Sequence, residues 1–425
     1  MADVQPLRAL HYDLTRTGGL QPVAAPPYDV IDEPQRAELL SRSPYNVVEI
    51  DLPRDPDGGD PYAHAARTLA VWRDEGILVR DDEPALWALE QDYTGPDGQR
   101  STRRGFFARV RVEDYGPGRI RPHERTHPGP KEDRLRLTRA TAANLSPIFS
   151  LYDDPAGAAW GALAPHLDGE PWGGVLDEDG TVHRLWRVAD EGAAEAVRAA
   201  LADTELLIAD GHHRYETARV HARETGDDDA GWVLMCLVAL QDPGLTVFPT
   251  HRLLTELDDE RRAALQRVLD ASFTATEVAA GELEPPTQDG PVQLGYLDAR
   301  ERPLRLTLSD SDAVAAALPD KPQPYRELDT AVLEALVLRG ALGMSEDDIS
   351  HLNGLDYARD TAQARERVER GEADAAFFMA GIPVERVRAV AAAGESMPPK
   401  STYFFPKVLT GLLFHELNSH VAPQS

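Results

Sequence analysis

The stretch from Glu205 to Glu224 constrains the fold of this chain more than any other. Glu205 to Ala209 (ELLIA) is apolar and strand-like, Asp210-Gly211-His212-His213-Arg214 reads as a turn, and Tyr215 to Glu224 has helical character. A buried strand that breaks on a glycine and opens a helix demands a sheet layered against helices. Val233 to Leu240 is a second, wholly apolar strand of the kind found in the middle of a sheet. Upstream, Leu86 to Tyr93 and Gly105 to Val112 form a hairpin around Gly95-Pro96-Asp97-Gly98, and a second hairpin surrounds Gly180. Asn46 to Leu52 (NVVEIDL) alternates as a strand does. Helices are expected at Tyr62 to Glu75, Glu132 to Ala143 and Gly192 to Ala202. Beyond residue 255, helices at Asp329 to Leu342, Asp360 to Glu369 and Val384 to Ala393 flank a strand at Ala373 to Met379. Strands and helices mix without strict alternation, which predicts an α+β fold rather than a doubly wound sheet. A chain of 425 residues has room for two or three domains.

Charge narrows the partners. Lys plus Arg is 44 against 72 Asp plus Glu, a formal charge of −28. That field repels nucleic-acid backbones and anionic membranes, so neither is expected as a partner. The single cysteine, Cys236, excludes an internal disulfide and a cysteine zinc site, and its apolar neighbours suggest a buried, inert thiol. The N-terminus lacks the apolar core of a signal peptide, and no stretch reaches the ~18 apolar residues of a membrane span. A soluble cytoplasmic protein is expected. The chain has only four lysines, Lys131, Lys321, Lys400 and Lys407. Arg supplies the remaining positive charge, a scarcity that a coding bias explains, and the few lysines stand out because a site that needs a compact ammonium cannot always accept Arg.

Three constellations carry chemistry. His123-Glu124-Arg125-Thr126-His127 matches the H-E-x-x-H of zinc peptidases letter for letter. Pro122 before it and Pro128-Gly129-Pro130 after it prevent the long helix that such ligands need. The better use of the segment is a loop or helix start that presents the Glu124 carboxylate as a base. The second constellation is Asp210 to Arg214. A strand end that opens a helix offers backbone N–H groups and the positive end of a helix dipole, both suited to phosphate. Gly211 permits close backbone approach, His212, His213 and Arg214 add donors, and Asp210 can bind a magnesium ion or orient a histidine. The third is Pro399-Lys400-Ser401-Thr402, a lysine beside two hydroxyls. Gly129-Pro130-Lys131-Glu132-Asp133-Arg134 is similar and offers Lys131 and Arg134 to phosphate. The chain has neither a Walker phosphate loop nor a G-x-G-x-x-G.

Arg121-Pro122-His123-Glu124, Leu207 to Tyr215 and Gly394 to Thr402 (GESMPPKST) occur in that order. Together they resemble the free L-serine kinases of the ParB/sulfiredoxin-like superfamily. Nearly the whole chain also resembles a widespread bacterial family of uncharacterised proteins. Its marks are Pro26-Pro27-Tyr28-Asp29-Val30-Ile31, Pro130 to Arg134, Ala143-Asn144-Leu145-Ser146-Pro147-Ile148-Phe149 and Pro249-Thr250-His251-Arg252.

The kinase resemblance implies a ParB/sulfiredoxin-like mixed-sheet core with added N-terminal, inserted and C-terminal α/β segments. It divides the chain into residues 1–118, a nucleotide-binding catalytic core at 119–255, and a C-terminal domain at 256–425 that completes the substrate site. It implies Glu124 as base, with His123 beside it. Asp210, Gly211, His212, His213 and Arg214 would act on nucleotide phosphates and magnesium, and Lys400, Ser401 and Thr402 on substrate. ATP or ADP and Mg2+ would be the cofactors, and a small hydroxylated metabolite, free L-serine first, the acceptor. Two differences stand out: Tyr403-Phe404 replaces an Arg-His pair of the kinase pattern, and the interval between the two main motifs is much longer here. Two rival expectations remain. One is a ParB-like regulator that binds or hydrolyses nucleotide without an acceptor. The other is a zinc hydrolase using His123, Glu124 and His127.

Overall fold

The computed structural model describes residues 2–95, 98–117, 119–124, 129–287, 290–298, 300 and 303–417. The chain forms two units: Met1–Pro122 with Thr126–Leu245 and Pro406–Ser425, and His123–Arg125 with Thr246–Phe405. This division differs from three consecutive segments because the chain returns late to the first unit. Thr410 bridges to Ala25, Phe414 bridges to Leu10, and His415 to Glu416 pair with Ala143 to Asn144.

The first unit is built on a nine-stranded mixed sheet. Its strands are β1 (Val4–Gln5), β2 (Leu86–Thr94), β3 (Arg100–Arg111), β4 (Ile120–Pro122), β5 (Ile148–Tyr152), β6 (Gly173–Leu176), β7 (Val182–Val188), β8 (Leu206–Asp210) and β9 (Trp232–Ala239). Their order is β4-β8-β5-β9-β3-β2-β7-β6, with β1 also on β3. The pairs β4–β8 and β5–β9 are parallel and the rest antiparallel. The α+β expectation therefore holds, and the apolar strand β9 is central. The expected hairpin is β2–β3; its tip at Pro96 and Asp97 lies outside the described residues.

Strand alternation builds the core. Leu86 and Ala88, Phe106, Ala108 and Val110, and Val233, Met235 and Leu237 recur at period two on one face. Against that face pack α-helices from later in the chain. In chain order the unit's helices include α1 (Val48–Asp51), α2 (Pro61–Asp74), α3 (Gly129–Thr141), α4 (Ala158–Leu163), α5 (Glu191–Leu201) and α6 (His212–Thr225). Ala159 and Leu163, Val197 and Leu201, and Tyr215 and Ala218 close the core from α4, α5 and α6. The expected strand at Asn46 to Leu52 is instead the short helix α1. The Asn46 side chain donates to Pro22 O and Ala24 O and accepts from Val48 N–H, a local turn that replaces a strand ladder.

The second unit has a six-stranded sheet of β10 (His251–Leu254), β11 (Phe273–Glu277), β12 (Gln293–Asp298), β13 (Leu304–Leu308), β14 (Leu355–Ala358) and β15 (Ala375–Phe378), ordered β11-β13-β12-β15-β10-β14. Adjacent residues serve opposite faces. Leu254, Ala375 and Phe377 face α7 (Asp259–Ser272), whereas Leu253, Ala376 and Phe378 face α8 (Thr361–Glu369). The expected helix at 329–342 starts as an α-turn at Asp329–Val332 and then winds wider, as a π-helix, over Leu333–Ala341. The expected last helix is α9 (Val384–Ala392).

Candidate functional site

In the first unit the Asp210–Arg214 segment sits where β8 ends. Leu206 to Ala209 are buried, and a bulge after Ile208 shifts the register so that Asp210, not Ala209, pairs with Phe149. Gly211 then takes φ 93°, ψ 26°, a left-handed conformation that a side chain would strain. A Cβ there would also stand 3.0 Å from Arg214 Nε. The helix begins at once, so His212, His213 and Arg214 form the first turn of α6 rather than a loop before it, and the cap residue Gly211 has no side chain to bond its N–H groups.

Asp210 gathers cations. Its Oδ2 lies 3.1 Å from Lys407 Nζ, its Oδ1 accepts the Gly211 N–H at 2.8 Å, and Arg214 Nη2 is 3.8 Å away. Burial alone would raise its carboxyl; Lys407, Arg214 and His212 outweigh that and hold it far below the usual carboxylate range. Arg214 also donates to Pro147 O. The donor set does not fit a protein-held Mg2+. The one carboxylate is already shared between an ammonium and a backbone N–H, and among the described residues no three His, Cys, Asp or Glu side chains gather for a metal.

A buried network lies beside this turn and joins several of the sequence marks. Asp51 accepts from Ser146 Oγ at 3.0 Å and from Arg134 Nη1 at 3.2 Å. Arg134 Nη1 also donates to Asp51 O at 2.7 Å, its Nε donates to Asp133 at 2.7 Å, and its guanidinium lies 4.2 Å over the Tyr28 ring. Ser146 Oγ is 2.8 Å from Thr410 Oγ1. Burial and the nearby acids push the Tyr28 hydroxyl up to about 12. Arg134 is thus enclosed by Asp51 and Asp133, while sharing a cavity wall with Arg214. Lys131 is half-buried on α3, and its carbonyl accepts from Thr217 of α6 at 3.5 Å.

In the second unit, His123 is buried, with Nε2 2.6 Å from Thr402 Oγ1 and 3.6 Å from Glu124 Oε2. Its carbonyl accepts the Met397 N–H at 2.7 Å, and Glu124 pairs with Met397 in a short parallel bridge. Phe404, one of the two residues that depart from the kinase pattern, meets the His123 ring edge-on at 5.3 Å. Ser401 is buried, donating to Pro398 O at 2.6 Å, with its Oγ 3.2 Å from Thr330 Oγ1. Lys400 is exposed and holds φ 56°, a left-handed conformation unusual for a side-chain residue. His123, Glu124 and Thr402 therefore come together, whereas the Ser401 hydroxyl is turned to Pro398 and Thr330. His127 lies outside the described residues, so the zinc pair has no described geometry.

Sequence reasoning passed over two cations. Arg252 appeared only as part of a family mark; it is buried, donates to Thr250 O and Pro399 O, and feels the Glu124 carboxylate. Lys407 was counted among the four lysines and given no role. Its rarity was the available signal.

A family model described as protein of unknown function (DUF1015) matches residues 4–331. The chain belongs to the DUF1015 family. The match takes in Glu124 and Asp210 to Arg214 and stops before Lys400 and Lys407. No curated protein sequence matches this DUF1015 protein. Among solved structures it is similar to a conserved hypothetical protein from Pyrococcus furiosus (15% identity, 67% of this chain and 86% of that one, TM-score 0.35). It is likewise similar to a free serine kinase in complex with AMP (16%, 67% and 83%, TM-score 0.35) and to C-terminally truncated SbnI from Staphylococcus aureus (12%, 72% and 85%, TM-score 0.37). No described helix of this DUF1015 protein is long and apolar enough to cross a membrane.

Proposed function

We propose that the protein is a nucleotide-dependent phosphotransferase that phosphorylates the hydroxyl of a small metabolite, with free L-serine the leading acceptor and O-phosphoserine its product. The observation that carries this reading is the Asp210–Arg214 turn: a left-handed glycine opens a 14-residue helix beside a cluster of cations, in a chain of net charge −28. Phosphoryl transfer asks the protein for positioned donors and for a base on the acceptor.

The turn supplies the donors, with His212, His213 and Arg214 on the phosphates of ATP or ADP. Glu124, whose side chain is 22% exposed, is the base. It takes the proton from the acceptor hydroxyl as that oxygen attacks the terminal phosphorus. The bond from that phosphorus to the bridging oxygen breaks, and its electron pair leaves with the shortened nucleotide. His123, fixed by Thr402, positions Glu124. Lys400 and Thr402 face the substrate side of the reaction, and Ser401 supports their loop. An acceptor-free regulatory nucleotide switch would use the same turn but need no base.

The test is Glu124→Gln. Formation of phosphorylated product falls by about 10²–10⁴-fold, the usual scale of a general base, while ADP affinity stays within twofold. Undiminished turnover in this variant overturns the assignment.

A further inference from the structure

We propose that Lys407 is the cation that takes the nucleotide's phosphates at the Asp210 turn, its ammonium held ready by Asp210 until the phosphates arrive. The proposal rests on the phosphotransferase reading of that turn and adds to it a residue far away in sequence.

Lys407 is fixed at both ends. Its carbonyl accepts from Gln91 Nε2 at 3.0 Å, and its ammonium lies 3.1 Å from Asp210 Oδ2. Gln91 is itself held inside the sheet. Its Oε1 accepts from Arg103 Nε at 2.9 Å and Nη2 at 2.6 Å, and its Nε2 lies 3.1 Å from His183 Nδ1. His183 Nε2 in turn meets Asp177 at 2.8 Å. A chain of buried polar groups across β3, β2 and β7 thus sets where the Lys407 backbone lies.

Arg103 gives the independent sign of an anion. It is fully buried, and among the described residues it makes no ion pair. Among the described residues its Nη1 has no hydrogen-bond partner. Its guanidinium lies 4.6 Å over the ring of Phe149, which is the register partner of Asp210. Asp242 and Asp210 act on its charge from a distance, and burial brings its guanidinium down to about 10. A buried cation with an open donor is costly unless an anion completes it. Lys407 and Arg214 lie at Asp210, and Arg103, which feels both Asp242 and Asp210, adds a third cation behind the Phe149 ring, in a chain whose overall charge is strongly negative. A polyphosphate restores that balance. Of the three, Lys407 is the compact ammonium, whose three N–H donors can serve a carboxylate and a phosphate from one position.

On this proposal Asp210 competes with the ligand for Lys407, which yields a gain-of-affinity test that misfolding cannot imitate. ADP, adenosine and inorganic pyrophosphate are titrated calorimetrically into the full chain without divalent metal. Lys407→Met weakens ADP and pyrophosphate at least tenfold and leaves adenosine unchanged, and Lys407→Arg recovers ADP to within threefold. Asp210→Asn, which keeps the acceptor for Gly211 N–H and removes the competing charge, tightens pyrophosphate at least threefold. If the natural chain binds ADP, yet Lys407→Met binds it equally well or Asp210→Asn binds pyrophosphate more weakly, the role of Lys407 is overturned and the phosphotransferase reading stands. If the natural chain binds neither ADP nor pyrophosphate, both fall together.

Discussion

The two chemical clusters are built in opposite ways. In the first unit, Asp210 ends a strand inside a nine-stranded sheet, and Arg214 from the next helical turn and Lys407 from a distant segment converge on it. In the second, Glu124 sits on a three-residue excursion of the chain, held by backbone pairing with Met397 and by the neighbouring His123–Thr402 contact. The first is an electrostatic device fixed by burial. The second is one loop holding another. The difference suits the chemistry proposed for each: phosphate recognition needs charges that do not move, and a base needs access to an incoming hydroxyl.

Variants can break this contrast, and the strongest strikes the buried network. Asp51→Ala leaves Arg134 enclosed without its main counter-charge and is expected to cost about 3–5 kcal/mol, read from urea unfolding. A loss below about 1 kcal/mol would mean that Arg134 is not confined as described. Acid should come next. Burial is the first cause that keeps His415 and His251 neutral, lowering them to about 3 and about 4. Met379 N–H donates to His251 Nδ1, which fits the neutral ring. Above the unfolded value near 6.5 both states are neutral and nothing changes. As pH falls below it, the unfolded chain takes up protons that the fold refuses. Stability should therefore drop from pH 6.5 downward, by about 2 kcal/mol for each histidine at pH 5. A melting temperature that is level between pH 7.5 and 5 refutes this.

Two smaller changes separate the clusters. Gly211→Ala forces a side chain into a left-handed conformation and against Arg214, at about 1–2 kcal/mol. It should weaken ADP binding along with stability. Thr402→Val removes the hydroxyl beside His123 and costs about 1 kcal/mol or less in stability, since one hydrogen bond is lost. It should lower turnover while leaving ADP affinity unchanged. If Thr402→Val weakened ADP binding and Gly211→Ala did not, the assignment of phosphate to one cluster and proton transfer to the other would be reversed.

The sequence made the strand, glycine and helix of residues 205–224 legible because each is a local signal: an apolar run, a conformational break and a helical period. The helix start three residues early, at His212, follows from the left-handed Gly211, whose geometry composition does not reveal. Local reading failed at Asn46 to Leu52, where alternation resembled a strand but the Asn46 side chain folded the backbone into a helical turn. It could not reach the pairings of Asp210 with Lys407 or of Arg134 with Asp51. Such contacts join residues 197 and 83 positions apart and leave no periodic trace. Charge rarity was the one clue, and it pointed to Lys407 without saying what the lysine does.

The central claim is that phosphate leaves a nucleotide for a metabolite hydroxyl. It is tested most directly by incubating the full chain with L-serine and ATP or ADP and identifying products by mass spectrometry. The account predicts O-phosphoserine in equal amount to the shortened nucleotide. Inorganic phosphate with the shortened nucleotide, and no phosphorylated metabolite from serine or from a pool of other hydroxylated metabolites, would contradict it.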